Sequence, residues 1–166
     1  MTDIPAFVRN GRLDLLAVNA LGRALYSPVF AGGGDGGNLA RFRFLDPAAR
    51  DFHPDQADSA RTTAALLRGG AGRDPGNPSL TRLIGELSTR SEEFRSLWAA
   101  HDVRLHRSGL KQFRHPVVGL LDLNFEAMAL EADDGLTLTA YAAAPGTPSH
   151  DGLRLLASWA ASQTVS

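Results

Sequence analysis

Ser108-Gly109-Leu110-Lys111 has the S-x-x-K spacing in which one turn of helix sets a lysine amine against a serine hydroxyl for acyl transfer. The internal glycine and the alternating flanks disfavour a helix there, and neither S-D-N nor K-T-G follows, so the string reads as a turn in a sheet. No G-x-S-x-G elbow is present. The run Ala31 to Gly37, "AGGGDGG", has backbone N–H groups able to converge on a phosphate. It lacks the G-K-[ST] ending and does not match G-x-G-x-x-G, which leaves a surface loop able to serve as a lid. Five histidines stand at 53, 101, 106, 115 and 150, without the i, i+4 pairing of helical zinc sites and without H-E-x-x-H, so no metal or other cofactor is expected.

Three further sets bear on binding rather than catalysis. His115, before Pro116, shares strand phase with Phe113 and points inward, where a histidine either hydrogen-bonds at a strand end or meets a ligand. Asp122, Asn124 and Glu126 share one face of a strand and read as its solvated side. Phe42, Phe44, Phe94, Leu97, Trp98, Phe113 and Phe125 form a core set, and helices laid over a sheet can leave an apolar pocket among such residues. Arg41, Arg43 and Arg50 are solvated helix cations or partners for an acidic head group. No nucleophile and base are paired, so no enzyme is expected.

The elements that must position these residues follow from local signals. The two extended runs around Asn10-Gly11 predict a tight hairpin, and Asn19 caps a helix over 20–26. Asn38 caps a helix presenting Leu39, Phe42 and Leu45, and Asp46-Pro47 starts a turn. A helix from Asp55 to about Arg68 is expected to stop at Gly69-Gly70. Asn77-Pro78 opens a helix with Leu80, Leu83, Ile84 and Leu87 on one stripe, and Ser91 opens another that sends Phe94, Leu97 and Trp98 into the core. From 102 to 116 the period is two, with a break near Gly109 that fits either one long bulged strand or a short hairpin. Leu121, Leu123, Phe125 and Ala127 alternate inward, Asp134-Gly135 turns the chain, and Leu136, Leu138 and Ala140 are expected inward on the return. Pro148-Ser149 opens a last helix with Leu153, Leu156 and Ala160 on one side.

Two strands, a group of helices, three strands and a terminal helix imply an α+β fold, an antiparallel sheet with helices on one face. The 166 residues make one domain, 1–166, with no repeat and no linker. A net charge of −1 gives no footprint for nucleic acid, and no apolar run is long enough for a membrane. The absence of cysteine and of a signal peptide leads us to expect a cytoplasmic chain.

The runs "NLARFRFLDPAAR", "LRGGAGRDPGNPSLTRLIGEL", "SEEFRSLWAAHDVR", "HPVVGLLDLNFEAMAL" and "PGTPSHDGLRLLASW" together resemble the MmyB-like ligand-binding domain of helix-turn-helix transcription regulators, from Pro5 to Trp159. The resemblance implies a PAS-like fold: a five-stranded antiparallel sheet with helices inserted between strands 2 and 3 and a C-terminal helix. It also implies a pocket for a hydrophobic small molecule such as a long-chain fatty acid, and contact with DNA only through a helix-turn-helix unit outside these residues. Because the chain begins so near its first strand, we expect a sensor cut from that unit. Asn19, Arg41, Trp98, His115 and Pro116 match positions the family pattern marks. Gln56 stands where the family usually has tryptophan, and Phe52 is expected to take over some of that packing. The expected ligand set is Leu39, Phe42, Phe94, Leu97, Trp98, Phe113 and His115 with Arg41, between sheet and helices near Trp98. A homodimer is expected, and the other reading of the chain is a PAS-like dimerisation module without ligand.

Overall fold

The computed structural model describes residues 4–32, 36–101, 105–131 and 135–163. Among them the chain forms five strands: β1 (Ala6–Arg9), β2 (Leu15–Val18), β3 (Ser108–His115), β4 (Gly119–Ala129) and β5 (Thr137–Ala142). All pair antiparallel in the order β2-β1-β5-β4-β3, so the last strand lies at the centre and joins the N-terminal hairpin to the C-terminal one. Between β2 and β3 come α1 (Ala20–Leu25), α2 (Ser27–Phe30), α3 (Leu39–Leu45), α4 (Ala49–Phe52), α5 (Gln56–Arg73), α6 (Pro78–Arg90) and α7 (Glu92–Ala100), and α8 (Pro148–Gln163) follows β5. This is the expected PAS-like α+β architecture. No helix among the described residues is long and apolar enough to cross a membrane.

The predicted caps form. Asn19, Asn38, Asn77 and Ser91 each accept a backbone N–H in the first turn of α1, α3, α6 and α7, and Pro78 occupies the first turn of α6, where its missing N–H removes no bond. Asn19 also ties the helix layer to the sheet, because its amide nitrogen donates to the Ile4 carbonyl at 2.7 Å and its oxygen accepts the Ala6 N–H at 3.1 Å.

Four expectations are corrected. The first hairpin is not a two-residue turn: Asn10 Oδ1 accepts the N–H of Arg12 and of Asp14, and the left-handed residue is Leu13, whose φ of 69° is held by complete burial. The helix expected to end at Gly69-Gly70 runs on to Arg73. A Cβ at Gly70 would lie 2.4 Å from the Gly11 carbonyl oxygen, so this glycine serves a backbone crossing rather than a stop. The stretch around Gly109 is one strand in continuous register with β4 from Ser108 to His115, neither bulged nor a turn, which sets Ser108 and Lys111 on opposite faces. On β5 the phase is reversed: Thr137, Thr139 and Tyr141 are buried, while Leu138 and Ala140 take the other face. The largest side chain decides it, since Tyr141 hydrogen-bonds through its hydroxyl to that of buried Tyr26. Of the expected turn at 134–135, Gly135 is described with φ 89°, while Asp134 lies outside the described residues, as do Gly33 to Asp35 of the glycine run.

Apolar burial forms two clusters. One lies between the sheet and α1, α3, α4 and α8, around Phe7, Tyr26, Phe52, Phe113, Leu121 and Tyr141. The other lies among the helices α3, α5, α6 and α7, around Leu67, Leu83, Leu87 and Phe94, with Leu13 from the first hairpin reaching into it. Leu39 packs against both.

Candidate functional site

The inner face of the sheet divides along its length. At the end where β3 leaves the sheet, Phe113 is fully buried, with Tyr26, Phe52 and Tyr141 rings 5.4–5.5 Å from its own. Phe52 also meets Phe42 at 5.7 Å and His53 at 5.0 Å, so it is the hub of this aromatic packing. Gln56 donates to the carbonyls of Ala49, Arg50 and His53 and thereby fastens α4 by polar bonds. α8 closes this end: its Gly152 passes so near β4 that a Cβ would come within 2.7 Å of Leu121.

Toward Ser108 the same face changes character. Gly109 is exposed, and Lys111, Phe125 and Ala127 are only half-buried, although all four share the inward phase and β4 is an inner strand. Across β5 the face continues as buried Thr137 and Thr139. Above it α5 reaches from β3, where Lys111 feels the charge of Asp58, to the first hairpin, where Gly70 meets Gly11. Along α5 Ala60 and Ala64 are both buried, and Ala64 packs with Leu67 into the helical cluster.

The predicted ligand residues fall in two places. Phe42, Phe113 and His115 belong to the sheet-facing cluster, whereas Phe94, Leu97 and Trp98 pack in the helical one. Trp98 stacks on Phe94 with centroids 5.4 Å apart and carries the Arg68 guanidinium 3.7 Å above its ring; that arginine also donates to the Trp98 carbonyl. The structure therefore does not bring Trp98 to the sheet. His115 is satisfied by the protein itself. Its Nδ1 accepts the Val117 N–H at 3.0 Å, which leaves the proton on Nε2 to donate to the Ala24 carbonyl at 2.7 Å. Burial lowers its pKa, with the Ala24 bond opposing.

Arg41 lines a surface cleft of about 880 Å³ with Leu15, Leu16, Val29, Phe42 and Leu45. Its charge is already answered: one Glu86 oxygen takes Arg41 at 2.8 Å and the other takes Arg90 at 3.2 Å. Arg43 is buried and fully engaged, donating to both Glu93 oxygens at 3.0 and 3.1 Å, to Ser59 Oγ and to the Gln56 carbonyl at 2.7 Å. Arg50 is exposed. Asp122, Asn124 and Glu126 are exposed on the outer face, as the alternation predicts.

Two residues that the sequence reading did not place in the binding site, His53 and Lys111, carry side-chain nitrogens with no hydrogen-bond partner among the described residues. His53 is buried and its Nδ1 has no hydrogen-bond partner; burial first, then the charges of Lys111 and Arg43, lower its pKa to about 3. Lys111 has its ammonium 5.4 Å from the Phe113 centroid, and no acceptor or counter-ion among the described residues lies within bonding distance. Burial lowers its pKa to about 8. The signal was present in β3: the only lysine of the chain stands in phase with Phe113 and His115. Among the described residues no three His, Asp or Glu side chains are grouped to hold a metal.

Among curated proteins, none matches the chain. Its sequence does match the family described as MmyB-like transcription regulator ligand binding domain, over residues 1–156. That match spans all five strands, α1 to α7 and the first half of α8, and the family is a regulatory binding domain. The chain belongs to the MmyB-like transcription regulator ligand-binding domain family.

Proposed function

We propose that this domain is the sensor of a bacterial transcription regulator and holds a hydrophobic small molecule, such as a long-chain fatty acid, between the sheet and the helices. The observation that carries the reading is the half-buried state of Phe125 beside exposed Gly109 on the inward face of the sheet. An aromatic ring on an inner strand, facing the helix layer, is normally sealed. Here the ring stays half-buried, and an apolar chain laid along Phe125 and Ala127 toward Phe113 would complete the layer. Occupancy would stabilise one arrangement of α5 over the sheet, and a regulator responds to its ligand through such a difference. DNA would be contacted by a helix-turn-helix unit outside these residues, in the cytoplasm. Organic extraction of the purified protein followed by mass spectrometry tests the reading, with a lipid-like molecule as the expected result. Recovering none, together with no change in Tm on adding saturated fatty acids of 8 to 18 carbons, would overturn it.

A second reading has its own observation. The outer sheet face bears no helix among the described residues and presents exposed Leu110, Leu120 and Met128, with Leu138 beside Met128 across the β4–β5 pair. Such a face suits a second copy of the chain, making the domain a homodimer with or without ligand. Analytical ultracentrifugation of Leu120→Glu against wild type separates the two: a dimer that falls apart supports this reading, and a monomer in both removes it.

A further inference from the structure

We infer that Lys111 and His53 form the anchor for a carboxylate on the ligand, so that the domain selects acids over neutral molecules of the same length. The inference rests on the sensor reading above and adds the chemistry of the head group.

Both groups lie against one ring. The Lys111 ammonium is 5.4 Å from the Phe113 centroid, and the His53 ring centroid is 6.4 Å from it. Lys111 comes from the inner face of β3 and His53 from the end of α4, so two separate elements bring polar side chains to the neighbourhood of one ring, close enough for His53 to feel the lysine's charge. A buried polar group left unpaired, as His53 Nδ1 is, is disfavoured, and a half-buried ammonium without a counter-ion is open to an anionic partner. The surrounding charges are accounted for. Arg43, which His53 also feels, is spent on Glu93, and Asp58, the carboxylate felt by Lys111, is exposed and beyond ion-pairing reach. One positive charge and one hydrogen-bonding imidazole therefore remain. A carboxylate matches that pair: one oxygen accepts from the ammonium, and the other accepts from the imidazole in the tautomer that carries its proton on Nδ1. A phosphate dianion would need a second free cation. An alcohol or ester would leave the ammonium unanswered. The acyl chain would then run from Lys111 along the inner face toward half-buried Phe125.

Lys111 is the only lysine in the chain, so biosynthetic labelling with ¹³Cε-lysine gives a single resonance that reports this site alone. The test adds dodecanoate or dodecan-1-ol, each below its micelle or solubility limit, to the full chain and to Lys111→Met. We expect dodecanoate to move the Lys111 resonance and raise the lysine pKa, and Lys111→Met to weaken dodecanoate by about tenfold or more while changing dodecanol by less than about twofold. Equal binding of acid and alcohol, with neither weakened by Lys111→Met, would overturn the anchor and leave the sensor reading standing. So would a bound dodecanoate that leaves the wild-type resonance unmoved, a result that does not depend on how the variant folds. If neither molecule binds and extraction yields nothing lipid-like, the sensor reading fails and the anchor with it.

Discussion

The two ends of the inner sheet face are built from one set of strands but have opposite character. At one end Phe113, Leu121 and Tyr141 are sealed under Tyr26, Phe52 and Leu156, with the tyrosine hydroxyls bonded to each other. At the other, a few residues along β3 and β4, Lys111, Phe125 and Ala127 are left half-covered. The first end is what a small domain needs in order to fold, since close-packed aromatic rings supply much of the apolar burial. The second gives up some of that burial around an ammonium that has no ion pair among the described residues, an arrangement that reduces stability unless a partner answers it. Binding function is thus placed where the core is left incomplete.

The largest effect that would break this contrast is at the rings. Phe113→Ala should destabilise by about 3–5 kcal/mol in urea unfolding, and Phe125→Ala by about 1 kcal/mol, because only the former opens a closed cavity. Comparable losses at both positions would mean that the open end is packed as tightly as the sealed one. Next come the cations. Glu93→Ala strands buried Arg43 and should cost about 3 kcal/mol, whereas Lys111 has no ion-pair partner among the described residues whose loss could be felt. A Glu93→Ala protein as stable as wild type would show that Arg43 is carried by Ser59 and Gln56 alone.

Acid should act through the neutral histidine. His53 holds a folded pKa of about 3 against an unfolded value of 6.5, so below pH 6.5 the unfolded chain takes up the proton first. The contribution is intact above that value and is lost as pH falls toward 3, at up to about 1.4 kcal/mol per unit. His115, also lowered, adds in the same direction. His53→Phe should flatten the profile measured between pH 6.5 and 4.5, and an unchanged slope would remove His53 from the account. The smallest effect concerns the free ammonium: Lys111→Met should stabilise the ligand-free protein by about 1 kcal/mol, read as a higher urea midpoint at pH 7. A loss of stability instead would show that the protein already compensates this charge.

Much of the fold was readable because its signals are local. Asn19, Asn38, Asn77 and Ser91 cap helices with bonds to residues two or three positions away, and the order of elements follows from such punctuation. The inward phase of Phe113, His115, Leu121 and Leu123 was equally clear, since charged or amide residues fill most of the alternate positions of those strands. The site was less legible. Lys111 stood in that inward phase, yet nothing near it in sequence says whether a carboxylate waits on a facing helix. The aromatic residues named as one pocket separate into a sheet-facing and a helical cluster, a division that depends on how α3 and α5 cross rather than on residue type.

The sequence alone determined the α+β order, the family, the helix starts and the faces of β3 and β4, all of which rest on hydrogen bonds or alternation within a few residues. Only the tertiary structure decided that β5 lies between β1 and β4 with its threonines and Tyr141 inward, that α5 runs past Gly70, where Gly11 passes against it, and that the Lys111 ammonium meets no counter-ion among the described residues. Each of those depends on a partner distant along the chain, and the energy of such a contact does not exist until the chain has folded to make it.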